Sequence, residues 1–212
     1  MPDGFEPLAL IDALNRHGVQ YVIVGGWGAI QHGALRATND LDICPQWSPE
    51  NLERLGQMLA QLHAELFVSA TETIPVPIID GRLISQMHIG NWSTTAGRVD
   101  VLQGIGDTGG EIGYDVLRPR ATTASIGGHT VAVADLEDIV RSKVIADRPK
   151  DHEALPELHS LLSRRAEYDQ IARLVDGSFP AQPDAYYPGR PVTHRPPPSR
   201  PGEPERGSDQ TR

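Results

Sequence analysis

The chain has 212 residues, 39% of them hydrophobic, a net charge of −9 and a single cysteine, Cys44. This is enough length and apolar content for one domain of ordinary size, with or without a tail. A lone cysteine excludes an intrachain disulfide framework and a thiolate zinc site, and no apolar run reaches the roughly 18 residues of a membrane-spanning helix.

The acidity is unevenly placed. Residues 1–178 hold 14 Lys and Arg against 24 Asp and Glu, whereas residues 179–212 hold five Arg and four acids. The broad basic footprint of a protein that grips long nucleic acid by its phosphates is missing. The N-terminal MPDGFEPLALIDAL carries acids where a secretory signal would carry bases. Together with the single cysteine, this leads to the expectation of a reducing, cytoplasmic setting and no membrane association.

In chain order, Pro7 to Arg16 places Leu8, Leu10, Ile11 and Leu14 at helical spacing, and Gly18 stops the helix. Tyr21–Val24 reads as a short strand, and Trp27–His32 as a short helix after the turn Gly25-Gly26. Leu41–Cys44 reads as a second strand. Ser48 then caps a helix with Pro49 at its first position and Leu52, Leu55, Met58, Leu59 and Leu62 along one face. Leu83–Trp92 and Arg98–Leu102 are expected to pair through a turn at Thr94-Thr95-Ala96-Gly97. His129–Val133 is a further strand. Asp135 caps a helix that carries Leu136, Ile139, Val140 and Val144, and helices over Lys150–Leu162 and Glu167–Val175 close the ordered part. The fold class is α/β (α+β): a small mixed sheet in the first half, flanking helices, and a helical C-terminal part. From Phe179 onward the chain is crowded with Pro, Gly, Ser and Arg and nearly free of aliphatic residues, so 179–212 is expected to be a disordered Pro/Arg-rich tail.

Three carboxylates stand where strands are expected. Asp40 and Asp42 alternate, so they point to one face, about 6–7 Å apart along the chain. Asp100 sits inside Arg98-Val99-Asp100-Val101-Leu102, where a charge is costly unless it is paired or coordinated. Convergence of the three would give the ligand set of a two-metal centre. An ion pair of Asp100 with Arg98 is the structural alternative, because both share a strand face. Gly25-Gly26, at the end of a strand and the start of a helix, lets phosphate approach bare backbone N–H groups, but a lone strand–glycine–helix turn is more often an ordinary tight connection. His32 fits a structural hydrogen bond better than catalysis. His88, His129, His152 and His159 have no mutual metal spacing, and Cys44 reads as a small buried hydrophobe.

The segment GGWGAIQHGALRATNDLDI resembles the nucleotidyltransferase signature of the DNA polymerase β-like superfamily, and within it the abortive-infection (AbiEii-like) toxin-type enzymes. The matching positions are Gly25-Gly26, His32-Gly33, Arg36-x-Thr38 and Asp40-x-Asp42. A later Lys143, then Arg148-Pro149-Lys150-Asp151, resembles that group's second motif. The resemblance spans roughly Val19 to Leu162, and it makes 1–178 one nucleotidyltransferase domain, with a core over about 19–133 and a helical part over about 135–176. It implies Mg²⁺-dependent transfer (two ions, with Mn²⁺ as substitute) of a nucleoside monophosphate from an NTP to a hydroxyl. Asp40, Asp42 and Asp100 would hold the metal. Gly25, Gly26, Arg36, Thr38 and Lys143 would attend the triphosphate, with Asp151 orienting a lysine or meeting the acceptor. Trp27, and Gly26 in place of a serine, depart from the pattern. The resemblance points to a tRNA 3′ end as acceptor and a cognate antitoxin as partner. A protein or small-molecule acceptor, and a catalytically silent NTP-binding, antitoxin-like module, stay open.

Overall fold

Helix α1 (Pro7–Arg16) forms where expected, begins at a proline, and buries Leu10, Ile11, Ala13 and Leu14 while Leu8 stays half exposed. It ends at Gly18, whose φ of +66° suits glycine. The computed structural model describes residues 4–106 and 112–174. The elements that follow are β1 (Tyr21–Ile23), α2 (Gly25–Gln31), β2 (Asp40–Pro45), α3 (Pro49–Gln61), β3 (Glu65–Ser69), β4 (Glu72–Pro75) and α4 (Gly81–Ser85). After them come β5 (Ile89–Thr94), β6 (Gly97–Leu102), α5 (Tyr114–Leu117), β7 (Thr122–Ile126), β8 (His129–Val133), α6 (Leu136–Ala146) and α7 (Pro149–Leu174).

The strands join in one eight-stranded mixed sheet in the order β4-β3-β5-β6-β2-β1-β8-β7. β2 runs parallel to β6 and antiparallel to β1, and β1 runs parallel to β8. Alternation along these strands feeds two cores. Tyr21, Ile23, Leu41, Ile43, Val99 and Val101 face the side covered by α1, α3 and α4, where Trp92 is fully buried. Val22, Val24 and Cys44 face the other side, packed with Ala29 of α2, Ile139 of α6 and Leu158 of α7. Asp40, Asp42 and Asp100 share the parity of that second face, at the end where its helical cover opens.

Several expected boundaries shift. Residues 83–88 are not strand. Asp80 accepts from the Leu83 N–H at 2.8 Å and starts α4, so β5 begins only at Ile89. The two helices expected at the C-terminal end are one, α7, which runs through Pro156. The sheet is larger than expected, because β3–β4 and β7–β8 are complete hairpins. The second closes through Gly127-Gly128 with φ of +58° and +85°, the left-handed pair that a two-residue hairpin turn needs. α3 is tied down by Ser48 at its cap and by the buried Asn51 side chain, which donates to the Gln20 and Gln46 carbonyls at 2.9 Å each. The Pro/Arg-rich stretch 179–212 and the end of the expected 167–175 helix lie outside the described residues.

Candidate active site

The parallel pairing of β2 with β6 sets the site. Its register places Asp42 opposite Asp100 and Asp40 opposite Arg98, so strands some sixty residues apart in the chain put three carboxylates and a guanidinium on one patch. The β1–α2 turn closes on this patch from the side. Val24 N–H donates to the Asp42 carbonyl at 3.0 Å, and Gly26 N–H donates to Asp42 Oδ2 at 3.3 Å. Gly25 has φ of +59°, and a Cβ there would lie 1.9 Å from Asp42 Oδ2. A Cβ on Gly26 would lie 3.0 Å from Thr38 Oγ1, which itself donates to Asp40 Oδ1 at 2.6 Å. Both glycines are therefore needed by the carboxylate segment itself: their backbone packs against the side chains of Asp42 and Thr38.

The opposite wall comes from the α6–α7 junction. Asp147, in the left-handed conformation with φ of 49°, ends α6 and turns the chain into α7. Asp151 in the first turn of α7 has a fully buried side chain that accepts from Lys143 Nζ at 3.1 Å and Arg148 Nε at 2.7 Å. Burial works to raise its pKa, but these hydrogen bonds prevail and hold it below the ordinary carboxylate range. Lys143, Arg148 and Lys150 line the cleft, and Asp151 stands behind them. Arg36, on the loop before β2, also lines the cleft and pairs with Glu153 of α7 at 2.8 Å, beside a hydrogen bond from Leu35 N–H to Glu157.

The cleft has a volume of about 520 Å³ and is lined by Gly25, Gly26, Arg36, Thr38, Asp40, Asp42, Asp100 and Lys143 together with Asn91, Arg98, Arg148 and Lys150. Of the residues expected at the site, only Asp151 lies outside the lining. In the sequence Arg98 stands out only as a pairing partner for Asp100; its place opposite Asp40 depends on the strand register, which the sequence does not display. His32 is buried and its Nε2 lies 2.8 Å from the Ala134 carbonyl, so it joins α2 to the end of β8, in keeping with the structural reading. Cys44 is buried, and burial pushes its thiol up to about 12.

The charge of the carboxylates is poorly compensated. Burial, then Asp40 and Asp100, push Asp42 up to about 7 against the opposing pulls of Gly26 N–H and Lys150. Burial and Asp40 push Asp100 up to about 6, although Arg98, Lys150 and Arg148 oppose it. Asp100 Oδ1 is buried without a hydrogen-bond partner. Among the described residues no three His, Cys, Asp or Glu side chains form a ready-made cage for a metal ion. Even so, hard oxygen donors, mutual repulsion and an orphaned carboxylate oxygen are the chemistry that a divalent cation relieves, so the residues fit one.

Asp151→Asn keeps an acceptor for Lys143 but removes the charge that holds both cations. If the cleft binds a triphosphate, the KM for NTP is expected to rise about ten-fold with a smaller change in kcat, read from initial rates at saturating acceptor.

No protein-family model matches the chain, and no curated protein matches it. Among solved structures the chain is similar to the lincosamide antibiotic adenylyltransferase LnuA in its lincomycin-bound form, at 16% identity and a TM-score of 0.48, over 73% of this chain and 95% of that one. It is similar to ANT(2″)-Ia in complex with adenylyl-2″-tobramycin, at 15% identity and a TM-score of 0.44, over 75% and 94% of the two chains. It is also similar to an antigenic nucleotidyltransferase-like protein from Paracoccidioides brasiliensis, at 18% identity and a TM-score of 0.45, over 76% of each chain.

Proposed function

We propose that the chain is a divalent-metal-dependent nucleotidyltransferase that moves a nucleoside monophosphate from an NTP to a hydroxyl and releases pyrophosphate. The observation that carries this reading is one cleft with two unlike walls. Asp40, Asp42 and Asp100 stand on adjoining strands against a glycine turn, and Lys143, Arg148 and Lys150 stand across from them. Asp40, Asp42 and Asp100 would hold Mg²⁺ or Mn²⁺, which supplies charge neutralisation for the triphosphate and acidification of the attacking hydroxyl. Lys143 and Arg148, oriented by Asp151, take the β- and γ-phosphates as point charge and fork respectively. Arg36 and Thr38 hold the loop that bounds the phosphates. The acceptor oxygen forms a bond to the α-phosphorus, the bond from that phosphorus to the bridging oxygen breaks, and pyrophosphate carries away the electron pair. The acceptor proton passes to solvent or to a carboxylate oxygen that the metal leaves free.

Ile89, Asn91 and Leu102 add uncharged lining to the cleft, and Arg98 faces Asp40 and Asp100. Arg36, Lys143 and Arg148 are paired with acids. With a net charge of −9, this favours a small-molecule or protein hydroxyl over a tRNA 3′ end, and with it a modifying enzyme over a toxin paired with an antitoxin. A silent NTP-binding module need not keep three converging carboxylates.

The test is label transfer. Each α-labelled NTP is incubated with protein, Mg²⁺ or Mn²⁺, and in turn total RNA, protein extract and a small-molecule extract. Label on a small molecule or protein, lost in Asp42→Ala, supports the reading. Label on RNA alone overturns the acceptor assignment. No transfer to any fraction, with Asp42→Ala binding NTP as tightly as the unaltered chain, overturns the enzyme.

A further inference from the structure

Arg98 is placed unlike an ordinary ion-pairing residue. Its Nη2 lies 3.6 Å from Asp40 Oδ2 and 3.7 Å from Asp100 Oδ1, close enough for Coulomb attraction but beyond hydrogen-bond length. Neither Arg98 Nε nor Asp100 Oδ1 has a hydrogen-bond partner, although both are buried. A structural Arg–carboxylate pair would close to a bidentate fork, and this one stands off from both acids. The guanidinium instead rests 3.9 Å over the centroid of the Phe67 ring, on a strand that carries none of the carboxylates. The side chain is 31% exposed, which leaves room to swing.

Resting on the metal-dependent reading above, we propose that Arg98 is a tethered counter-ion that competes with an incoming divalent cation for Asp40 and Asp100, and so sets the cation concentration at which the cleft loads. The guanidinium offsets part of the carboxylate repulsion in the unloaded protein without engaging the lone pairs that a metal would use. A cation entering beside Asp42 meets like charge from Arg98 and displaces it toward solvent along the Phe67 face. Because the attraction is divided between two acids and an aromatic ring, no single contact holds the guanidinium in place.

The experiment is Mn²⁺ binding to the full chain, read without any activity measurement from loss of the free-ion electron paramagnetic resonance signal. Arg98→Met keeps the apolar stem on Phe67 and removes the charge. It is expected to bind Mn²⁺ about ten-fold more tightly than the unaltered chain at moderate ionic strength. Arg98→Gln, a polar replacement, is expected to do the same, which keeps the test standing if one variant does not fold. Affinity in both variants equal to or weaker than that of the unaltered chain overturns the counter-ion role. If the unaltered chain binds Mn²⁺ and Asp42→Asn does not, the metal-dependent reading survives that result. If neither the unaltered chain nor the Arg98 variants bind Mn²⁺, both fall together.

Discussion

Asp42→Asn is expected to lower kcat/KM for nucleotidyl transfer by at least about a thousand-fold, with the fold retained. The amide is isosteric, can still accept from Gly26 N–H, and cannot carry the negative charge that a divalent cation requires. The same substitution removes a repulsion, because Asp42 is pushed up to about 7 by burial and by Asp40 and Asp100. The sign of the pH effect follows from this. Asp42 has a pKa of 3.8 when unperturbed and about 7 in the fold, so the native state binds a proton that the unfolded chain releases. Its contribution to stability is fully present below 3.8 and is lost as pH rises through about 7; Asp100 behaves alike through about 6. Asp135 and Asp151, held below the ordinary range, stay ionised across this window. The metal-free protein is therefore expected to lose about 2–4 kcal/mol between pH 5 and pH 8, measured by denaturant unfolding. Asp42→Asn should flatten that profile, and Mg²⁺ at pH 8 should restore stability to the unaltered chain by binding its native state. A profile equally steep in Asp42→Asn would refute the assignment.

Gly25→Ala is expected to destabilise by about 2–4 kcal/mol and to reduce activity nearly as far as loss of Asp42 itself. The φ of +59° costs any L side chain, and the new methyl would stand 1.9 Å from Asp42 Oδ2 and 2.4 Å from its Cγ. Thermal unfolding and initial rates check both effects. The clash has a signature of its own: shortening Asp42 to alanine in the Gly25→Ala background should recover part of the lost stability, a coupling that independent sites do not display. Strict additivity would locate the defect in the backbone alone.

The helices that begin with strong caps were legible. Ser48 and Asp135 each cap a helix where the sequence places one, because capping chemistry is local, and α1 is marked instead by its apolar spacing after Pro7. The alternation of Asp40 and Asp42 was legible for the same reason. The pairing of β2 with β6 is not legible, since two strands that far apart declare no register in their residues; only the assembled sheet sets Asp42 against Asp100. Glu65–Ser69 and Glu72–Pro75 lack a clean alternation, and much of their surface stays in solvent. The Gly127-Gly128 pair was a hairpin signal, and reading it would have recovered β7 from His129–Val133. The break expected between Leu162 and Glu167 does not occur, and Pro156 lies inside the continuous helix. It removes one N–H, and α7 continues past it on the packing of Leu158 and Leu161.

The parity of β2 has a consequence for how molecules of this chain differ from one another. Leu41 and Ile43 fill one core while Asp40 and Asp42 face the cleft, and Val99 and Val101 flank Asp100 in the same way. A slip of one residue between these strands would drive carboxylates into the apolar layer and bring aliphatic side chains out to water. The error that would disable the cleft is thus the error the core cannot accommodate. Folding therefore inspects the cleft: a chain that reaches its native packing has already aligned its three acids, and a misaligned chain cannot persist as a well-packed but inert protein.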